Sequence, residues 1–269
     1  MRDDGNPLDG PPRTTEVTSP AQNRSSAGRP DEPGSAETRP AETRSAATRP
    51  GTGRRVAGAL RLAAGLGLAA TIAVQITDRV VNDAFDPWEY FSYFTIQTSL
   101  FNIVVLVAGG LLALRVSRDT QLYTTVRMAT LAYAIVTAGV YNALLRFIPP
   151  TGYEGLDWPN EVVHVWIPIL LLLDWLLSPG RPALPWKALW VVPIYPVAWA
   201  IYSFGRAAAS GGRIYPYPFL NPATDGWPSV FAYIVGLTLF LVGLGALAVL
   251  YSRKRARARA QAAASAEAP

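Results

Sequence analysis

Six long apolar runs follow residue 55, and they restrict the chain to a fold that sits in a membrane. A helix needs about 20 mostly apolar residues to cross about 30 Å of hydrocarbon, and most of the runs are long enough. The fifth run contains Pro193 and Pro196, which a membrane helix tolerates because neighbouring helices satisfy the freed backbone groups. The runs cover approximately residues 56–77, 93–114, 125–147, 162–178, 187–205 and 229–251.

These runs predict an all-α, polytopic membrane protein whose six-helix transmembrane bundle occupies residues 54–252. The chain before the bundle has a different composition. Residues 1–55 contain only nine members of the AVILMFWYC set, too few to offset the entropy of ordering them. We therefore predict a disordered Pro/Arg/Thr-rich tail over residues 1–53. Residues 253–269 are predicted to form a second tail, first basic and then Ala-rich.

The distribution of charge predicts the orientation of the bundle. With the amino terminus inside, the cytoplasmic segments carry Arg54, Arg115, Arg181 and the basic tail, while the opposite loops carry most of the acids. An even number of spans returns the carboxyl terminus to the cytoplasm. The formal net charge of +5 is then explained by a multi-pass protein of the cell membrane whose partners are membrane lipids. No nucleic-acid partner is needed.

Two residue counts narrow the chemistry. The chain has no cysteine, which excludes disulfides, cysteine-based metal sites and cysteine nucleophiles. His164 is the only histidine, so a zinc site with two or three histidines cannot form within one chain. Glu161 and His164 match half of a di-iron helix motif, but other carboxylates at that depth are missing. We expect no metal, and no motif for a phosphate-bearing cofactor is present.

Polar residues inside the apolar runs indicate where a site lies. The second and fourth helices both start on the extracytoplasmic side, which places Thr95 and His164 at similar depth. A threonine hydroxyl becomes a nucleophile when a base removes its proton, and imidazole suits that role near neutral pH. Asn102, Asn142 and Tyr217 are candidates to line the pocket or to stabilise an oxyanion. Either Asn160 or Glu161 is a candidate to orient the imidazole, and Glu161 has the alternative of facing water.

Each of these polar residues also has a purely structural interpretation. A threonine in a membrane helix commonly bonds its own backbone or a neighbouring helix. Asp174, at the inner end of the fourth run, either pairs with a basic residue there or marks a polar path. Tyr195, Trp199 and Tyr202 share a helix face and are most simply explained by packing.

Three short motifs resemble those of the androgen-induced-protein family of six-span membrane hydrolases. The first is Phe91-Ser-Tyr-Phe-Thr95, an aromatic approach to the second helix that ends in threonine. The second is Asn160-x-x-x-His164 at the start of the fourth helix, with Pro168 about one turn later. The third is Tyr217-Pro-Phe-Leu220 in the last outer loop. The resemblance covers roughly residues 56–251 and indicates a bacterial branch of the family.

The resemblance implies a threonine hydrolase that acts on fatty acid esters of hydroxy fatty acids, with Thr95 as nucleophile and His164 as general base. The residues around both positions differ from those of the animal forms, so a different lipid ester is compatible with the motifs. The alternative is a non-catalytic membrane protein that binds or transports a lipid or small molecule. Transport is disfavoured because no inverted repeat is visible in the sequence.

Overall fold

The computed structural model describes residues 49–149 and 152–267, which fold into six long helices and contain no strand. Each helix is long and apolar enough to cross a membrane, so the predicted all-α, multi-pass bundle is confirmed. The predicted disordered tail falls almost wholly on residues 1–48, outside the described residues. The helices are α1 (Thr52–Val81), α2 (Phe94–Arg115), α3 (Gln121–Leu145), α4 (Asp157–Leu177), α5 (Trp186–Ala209) and α6 (Pro222–Glu267).

Several helix ends follow directly from local sequence. A one-turn helix, Pro87–Tyr90, leads into α2, and the Asp86 carboxylate caps it by accepting the backbone N–H of Trp88 at 2.8 Å. The Thr120 hydroxyl caps α3 by accepting the N–H of Tyr123 at 3.2 Å. Near its start α6 is interrupted at Gly226, whose φ of 77° is a left-handed conformation that glycine adopts without strain.

The closest helix packing joins α1 to α2, and glycines permit it. A Cβ atom added at Gly58 would lie 3.0 Å from the Gly110 carbonyl oxygen, and one added at Gly65 would lie 3.0 Å from the Val107 side chain. Small residues let backbones approach closely in membranes, where van der Waals packing drives helix association. The α1 and α2 backbones are therefore closely packed along one side of the bundle.

The bundle has two distinct ends. The loops 82–93 and 210–221, with the described residues 146–149 and 152–156, lie at one end, called the site end below. The opposite end, called the basic end, contains the start of α1 and the loops 116–120 and 178–185, which Arg54 joins through Val116, Pro179 and Asp119. The basic end corresponds to the face that the sequence predicts to be cytoplasmic.

A buried network of ion pairs closes the basic end. Asp174 of α4 accepts a hydrogen bond from Arg61 Nε at 3.0 Å and forms an ion pair with Arg127, whose Nη2 lies 2.5 Å from Oδ2. Asp119, in the loop before α3, accepts Arg54 Nη2 at 2.6 Å. The three arginine side chains are no more than 4% exposed. The expectation that Asp174 pairs with a basic residue is confirmed, although sequence reasoning did not single out Arg61 within the first apolar run.

Candidate active site

Thr95 and His164 lie in contact at the site end of the bundle. Thr95 is the second residue of α2, and its Oγ1 is 3.4 Å from Nε2 of His164 on α4. Both side chains are more than nine-tenths buried. The two residues were predicted to lie at similar depth, and the structure in addition brings their side chains into contact, which the sequence could not show.

The imidazole of His164 is oriented by the backbone of its own helix. Its Nδ1 lies 2.9 Å from the carbonyl oxygen of Asn160, and a carbonyl can only accept a hydrogen bond. Nδ1 therefore carries the proton, and in the neutral ring Nε2 presents its lone pair to the Thr95 hydroxyl. The Tyr141 ring stacks on the imidazole with centroids 3.8 Å apart and an interplanar angle of 14°.

His164 lies within a wide helical turn, and its backbone carbonyl lacks the usual donor four residues later in the helix. Residues Val162–Trp166 form a π-helical segment, a feature frequent at functional sites. Pro168 has no N–H, so it cannot bond the His164 carbonyl four residues earlier. Asn142 supplies that hydrogen bond instead, with Nδ2 3.3 Å from the His164 oxygen. Asn142 lies in a second π-helical segment, Tyr141–Leu145, so the two irregular turns face each other.

A charged pair at the rim links the same two helices. Arg146 Nη1 donates to Asn142 Oδ1 at 2.6 Å, and Arg146 also forms an ion pair with Glu161. About a third of each of these charged side chains is exposed, so the pair contributes little to stability by itself. It does fix the Asn142 amide, because the bond from Arg146 requires the amide oxygen to face outward and the nitrogen to face His164.

Tyr217, in the loop before α6, covers Thr95 at the site end of the bundle. Its hydroxyl lies 3.5 Å from Thr95 Oγ1 and accepts the Thr95 backbone N–H at 3.4 Å. Phe219 stacks on its ring with centroids 5.3 Å apart, and Tyr93 packs edge-on at 5.9 Å. Burial raises the pKa of the Tyr217 phenol, so the group remains protonated and can donate a hydrogen bond at neutral pH.

A cavity of about 150 Å³ extends from this cluster between α3, α5 and α6. No charged side chain of the described residues lines it. Val197 of α5 lines the cavity and is 54% exposed, so the cavity reaches the outer surface that faces hydrocarbon. Apart from the Trp199 indole, which bonds the Ser92 carbonyl, the polar side chains of its lining are hydroxyl groups and the imidazole. Those polar side chains are Thr95, Thr137, Tyr141, His164, Tyr217 and Thr238.

The other predicted site residues lie outside the cavity lining. Asn102 is 2% exposed, and its Oδ1 has no hydrogen-bond partner within the described part of the chain. The Asn160 backbone carbonyl contacts the imidazole at Nδ1, whereas the Asn142 side chain bonds the backbone carbonyl of His164 and not its ring. The side chain of Asn160 faces Gln75, whose Nε2 is 3.4 Å from Asn160 Oδ1. Tyr141, which stacks on the imidazole, was not among the predicted site residues.

The aromatic stripe on α5 packs against α2, as expected. Tyr195 donates its hydroxyl to Gln97 Oε1 at 2.8 Å, and Trp199 Nε1 donates to the Ser92 carbonyl at 3.0 Å. The Phe94 ring lies 5.4 Å from Tyr195 and 5.2 Å from Trp199. These contacts hold the residue that precedes Thr95, and they therefore position the start of α2.

Metal chemistry finds no support in the described residues, where no three His, Asp or Glu side chains are grouped to hold an ion. Glu161, the carboxylate of the half motif, is paired with Arg146. Comparison of the chain with models of protein families, with curated proteins and with solved structures finds no match. The chemical interpretation of the site therefore rests on its geometry.

Proposed function

We propose that the protein is an integral membrane hydrolase of carboxylic esters in lipids, with Thr95 as nucleophile and His164 as general base. The observation that carries the proposal is the 3.4 Å contact between Thr95 Oγ1 and an imidazole nitrogen whose lone pair faces it. Hydroxyl and base contacts are often long without substrate and tighten when it binds. The third member of the arrangement is the Asn160 carbonyl, which orients the base.

In the first step, Nε2 of His164 takes the Thr95 hydroxyl proton as Oγ1 attacks the ester carbonyl carbon. The resulting oxyanion accepts hydrogen bonds from the Tyr217 hydroxyl and the Thr95 backbone N–H. These two donors are neighbours at the start of α2, where the Tyr217 oxygen lies 3.4 Å from the Thr95 nitrogen. The intermediate collapses, the bond to the alcohol oxygen breaks, and that oxygen takes the proton from His164. An acyl-threonine remains.

In the second step, water replaces the alcohol. His164 removes a proton from the water, the hydroxide attacks the acyl carbon, and Thr95 leaves as its oxygen regains the proton. The products are a carboxylic acid and an alcohol, and the protein returns to its starting state. Water reaches the pair from the site end, where the ester bond lies close to the interface.

The cavity favours an uncharged ester with a long apolar arm. Among the residues that the structure describes, none that lines the cavity carries a charge to neutralise a phosphate or a quaternary amine. Its exposed wall at Val197 lets a lipid approach sideways through the bilayer. The proposal also includes membership of the androgen-induced-protein family, a location in the cell membrane, and cytoplasmic termini, which the basic end favours.

Covalent labelling with a fluorophosphonate, together with turnover of lipid esters, tests the proposed pair. We expect Thr95→Ala and His164→Ala to lose both labelling and hydrolysis, and Thr95→Ser to retain part of each. Thr98→Ala is the matched control, because Thr98 is also buried on the same helix but donates its hydroxyl to the Phe94 carbonyl at 2.8 Å. Unchanged labelling and hydrolysis in the first two variants would refute the pair.

A non-catalytic lipid-binding protein is the competing function, and the apolar cavity walls favour it. The same experiment separates the two. A lipid ester that raises the thermal midpoint of the wild-type protein, with neither labelling nor turnover, supports binding alone.

A further inference from the structure

Gln75 is a polar side chain of α1 that the proposed mechanism does not use. It is half-buried and lies close to Val81, where the helix ends at the site end of the bundle. Polar side chains in membrane helices need hydrogen-bond partners and usually face the bundle. Gln75 has two partners, one on each of the chain segments that lead to Thr95 and to His164.

The first partner of Gln75 is Tyr90, in the one-turn helix that precedes α2. The Tyr90 hydroxyl donates to Gln75 Oε1 at 3.0 Å. Tyr90 is 5% exposed, and burial raises the pKa of its phenol to about 12, so the group keeps its proton at neutral pH. In the chain Tyr90 stands five residues before Thr95, and the Asp86 carboxylate caps the turn that holds it.

The second partner is Asn160, in the first turns of α4. Gln75 Nε2 donates to Asn160 Oδ1 at 3.4 Å, while the backbone carbonyl of Asn160 lies 2.9 Å from His164 Nδ1. The π-helical segment of α4 begins two residues later, at Val162, and its backbone hydrogen bonds span five residues rather than four. Regular helix geometry therefore does not by itself fix this turn, and the contact with Gln75 adds a constraint from α1.

The side-chain amide of Gln75 thus joins the two approaches to the candidate active site. Its oxygen holds the segment before the nucleophile, and its nitrogen holds the turn before the base. Thr95 Oγ1 and His164 Nε2 are 3.4 Å apart, beyond the usual range of about 2.7–3.2 Å for an N···O hydrogen bond. A small outward shift of either segment is therefore enough to break their contact.

The structure assigns Gln75 as a positioning residue that sets the distance between Thr95 and His164 by linking Tyr90 to Asn160. Loss of the link leaves the Asn160 carbonyl in place, so Nδ1 keeps its proton, but it lets the first turns of α4 move away from the start of α2. A misplacement of about 1 Å can cost about 100-fold in rate. The effect on turnover rests on the proposed function, whereas the effect on the imidazole does not.

Imidazole ¹⁵N NMR of the full chain in lipid nanodiscs tests this role, because His164 is the only histidine and gives one pair of signals. The signal of unprotonated Nε2 moves when a hydroxyl donates to it, and Thr95→Val supplies its value without that donor. We expect Gln75→Leu and Tyr90→Phe to move the Nε2 signal most of the way to the Thr95→Val value, while Nδ1 remains protonated. In turnover of a lipid ester, kcat falls about 10- to 100-fold with little change in KM.

Each of the two variants has a matched control. Thr77→Val is the control for Gln75→Leu, because Thr77 lies on the same part of α1 but its hydroxyl donates to a carbonyl of its own helix at 2.9 Å. Tyr153→Phe is the control for Tyr90→Phe, since the Tyr153 hydroxyl also bonds an α1 side chain, the Asp78 carboxylate, at 3.0 Å. Among the described residues, that bond does not continue to α4. Both controls keep the wild-type Nε2 signal and kcat.

Three results would overturn the inference: an unchanged Nε2 signal in Gln75→Leu and Tyr90→Phe, equal shifts in the controls, or one signal shared by the wild type and Thr95→Val. If Gln75→Leu does not fold, Tyr90→Phe decides alone, because it removes one hydroxyl and leaves the ring to pack. A wild-type protein that hydrolyses no ester but shows the expected Nε2 shifts keeps the positioning role and refutes the proposed function, so the two failures are distinguishable.

Discussion

Replacing Asp174 by asparagine provides a direct measure of the buried ion-pair network. Asp174 accepts hydrogen bonds from Arg61 Nε through both oxygens at 3.0 Å and from Ser178, and it forms an ion pair with Arg127. In the Asp174→Asn variant, Arg61 and Arg127 keep only Asp119, at 4.0 Å and 3.6 Å. The network contains three arginines and two aspartates, so its excess of positive charge rises from one to two when Asp174 becomes neutral.

We expect this variant to lose about 3–5 kcal/mol, the cost typical of removing one partner from a buried ion pair. For a domain of 150–250 residues, that loss lowers the thermal midpoint by about 6–20 °C. The assay is thermal unfolding of purified protein in one detergent, followed by intrinsic tryptophan fluorescence. The sign is unambiguous because the substitution preserves volume and changes only the charge and one acceptor.

Glu161→Gln is the matched control for Asp174→Asn. Glu161 also pairs with an arginine, Arg146, but about a third of each side chain is exposed. Exposed ion pairs contribute about 0–1 kcal/mol, so the midpoint should shift by no more than a few degrees. If the two variants lower the midpoint equally, burial of the network is not what stabilises the basic end, and the reasoning fails.

Three further predictions concern the candidate active site. Tyr217→Phe should lower kcat for ester hydrolysis about 100-fold with little change in thermal midpoint, because an oxyanion donor is lost while the ring contacts remain. Asn142→Ala should lower the free energy of unfolding by about 1–3 kcal/mol, measured by denaturant titration, since the His164 carbonyl loses its donor. Because burial raises the pKa of Tyr217, the stability due to its neutral phenol persists below pH 10 and is lost above the raised pKa. The raised pKa also predicts that the Tyr217 phenol does not ionise below pH 10. If activity falls with rising pH below pH 10 in the wild type but not in Tyr217→Phe, the phenol ionises there and the raised pKa is wrong.

The sequence was sufficient for the architecture because membrane spans are set by length and hydropathy. The six apolar runs match the six helices, with α1 and α6 extending beyond their predicted limits because helix does not end where hydropathy does. The role of Arg61 was not predicted, because hydropathy does not reveal a single buried charge. One charge scarcely alters the mean hydropathy of a 30-residue helix, and its partners Asp174 and Asp119 are more than 50 residues away.

The candidate site was predictable only as a set of residues at one depth. That Thr95 and His164 touch depends on which helices are neighbours, and depth does not determine this. The role of Asn142 depends on a non-local effect: Pro168 removes a donor from α4, and an amide on α3 replaces it. The two π-helical segments contact each other through this hydrogen bond, and no periodicity in the sequence predicts them.

The hydrogen bond from His164 to a main-chain carbonyl has a consequence for how this site can vary. In many enzymes a carboxylate orients the imidazole, and one substitution at that position disables the base. Here every amino acid at position 160 would offer the same acceptor, so mutation of the side chain cannot remove it and acid cannot titrate it. The orientation of the imidazole is instead inherited from the course of α4, and natural variants that reshape this turn, rather than those that alter residue 160, would abolish it.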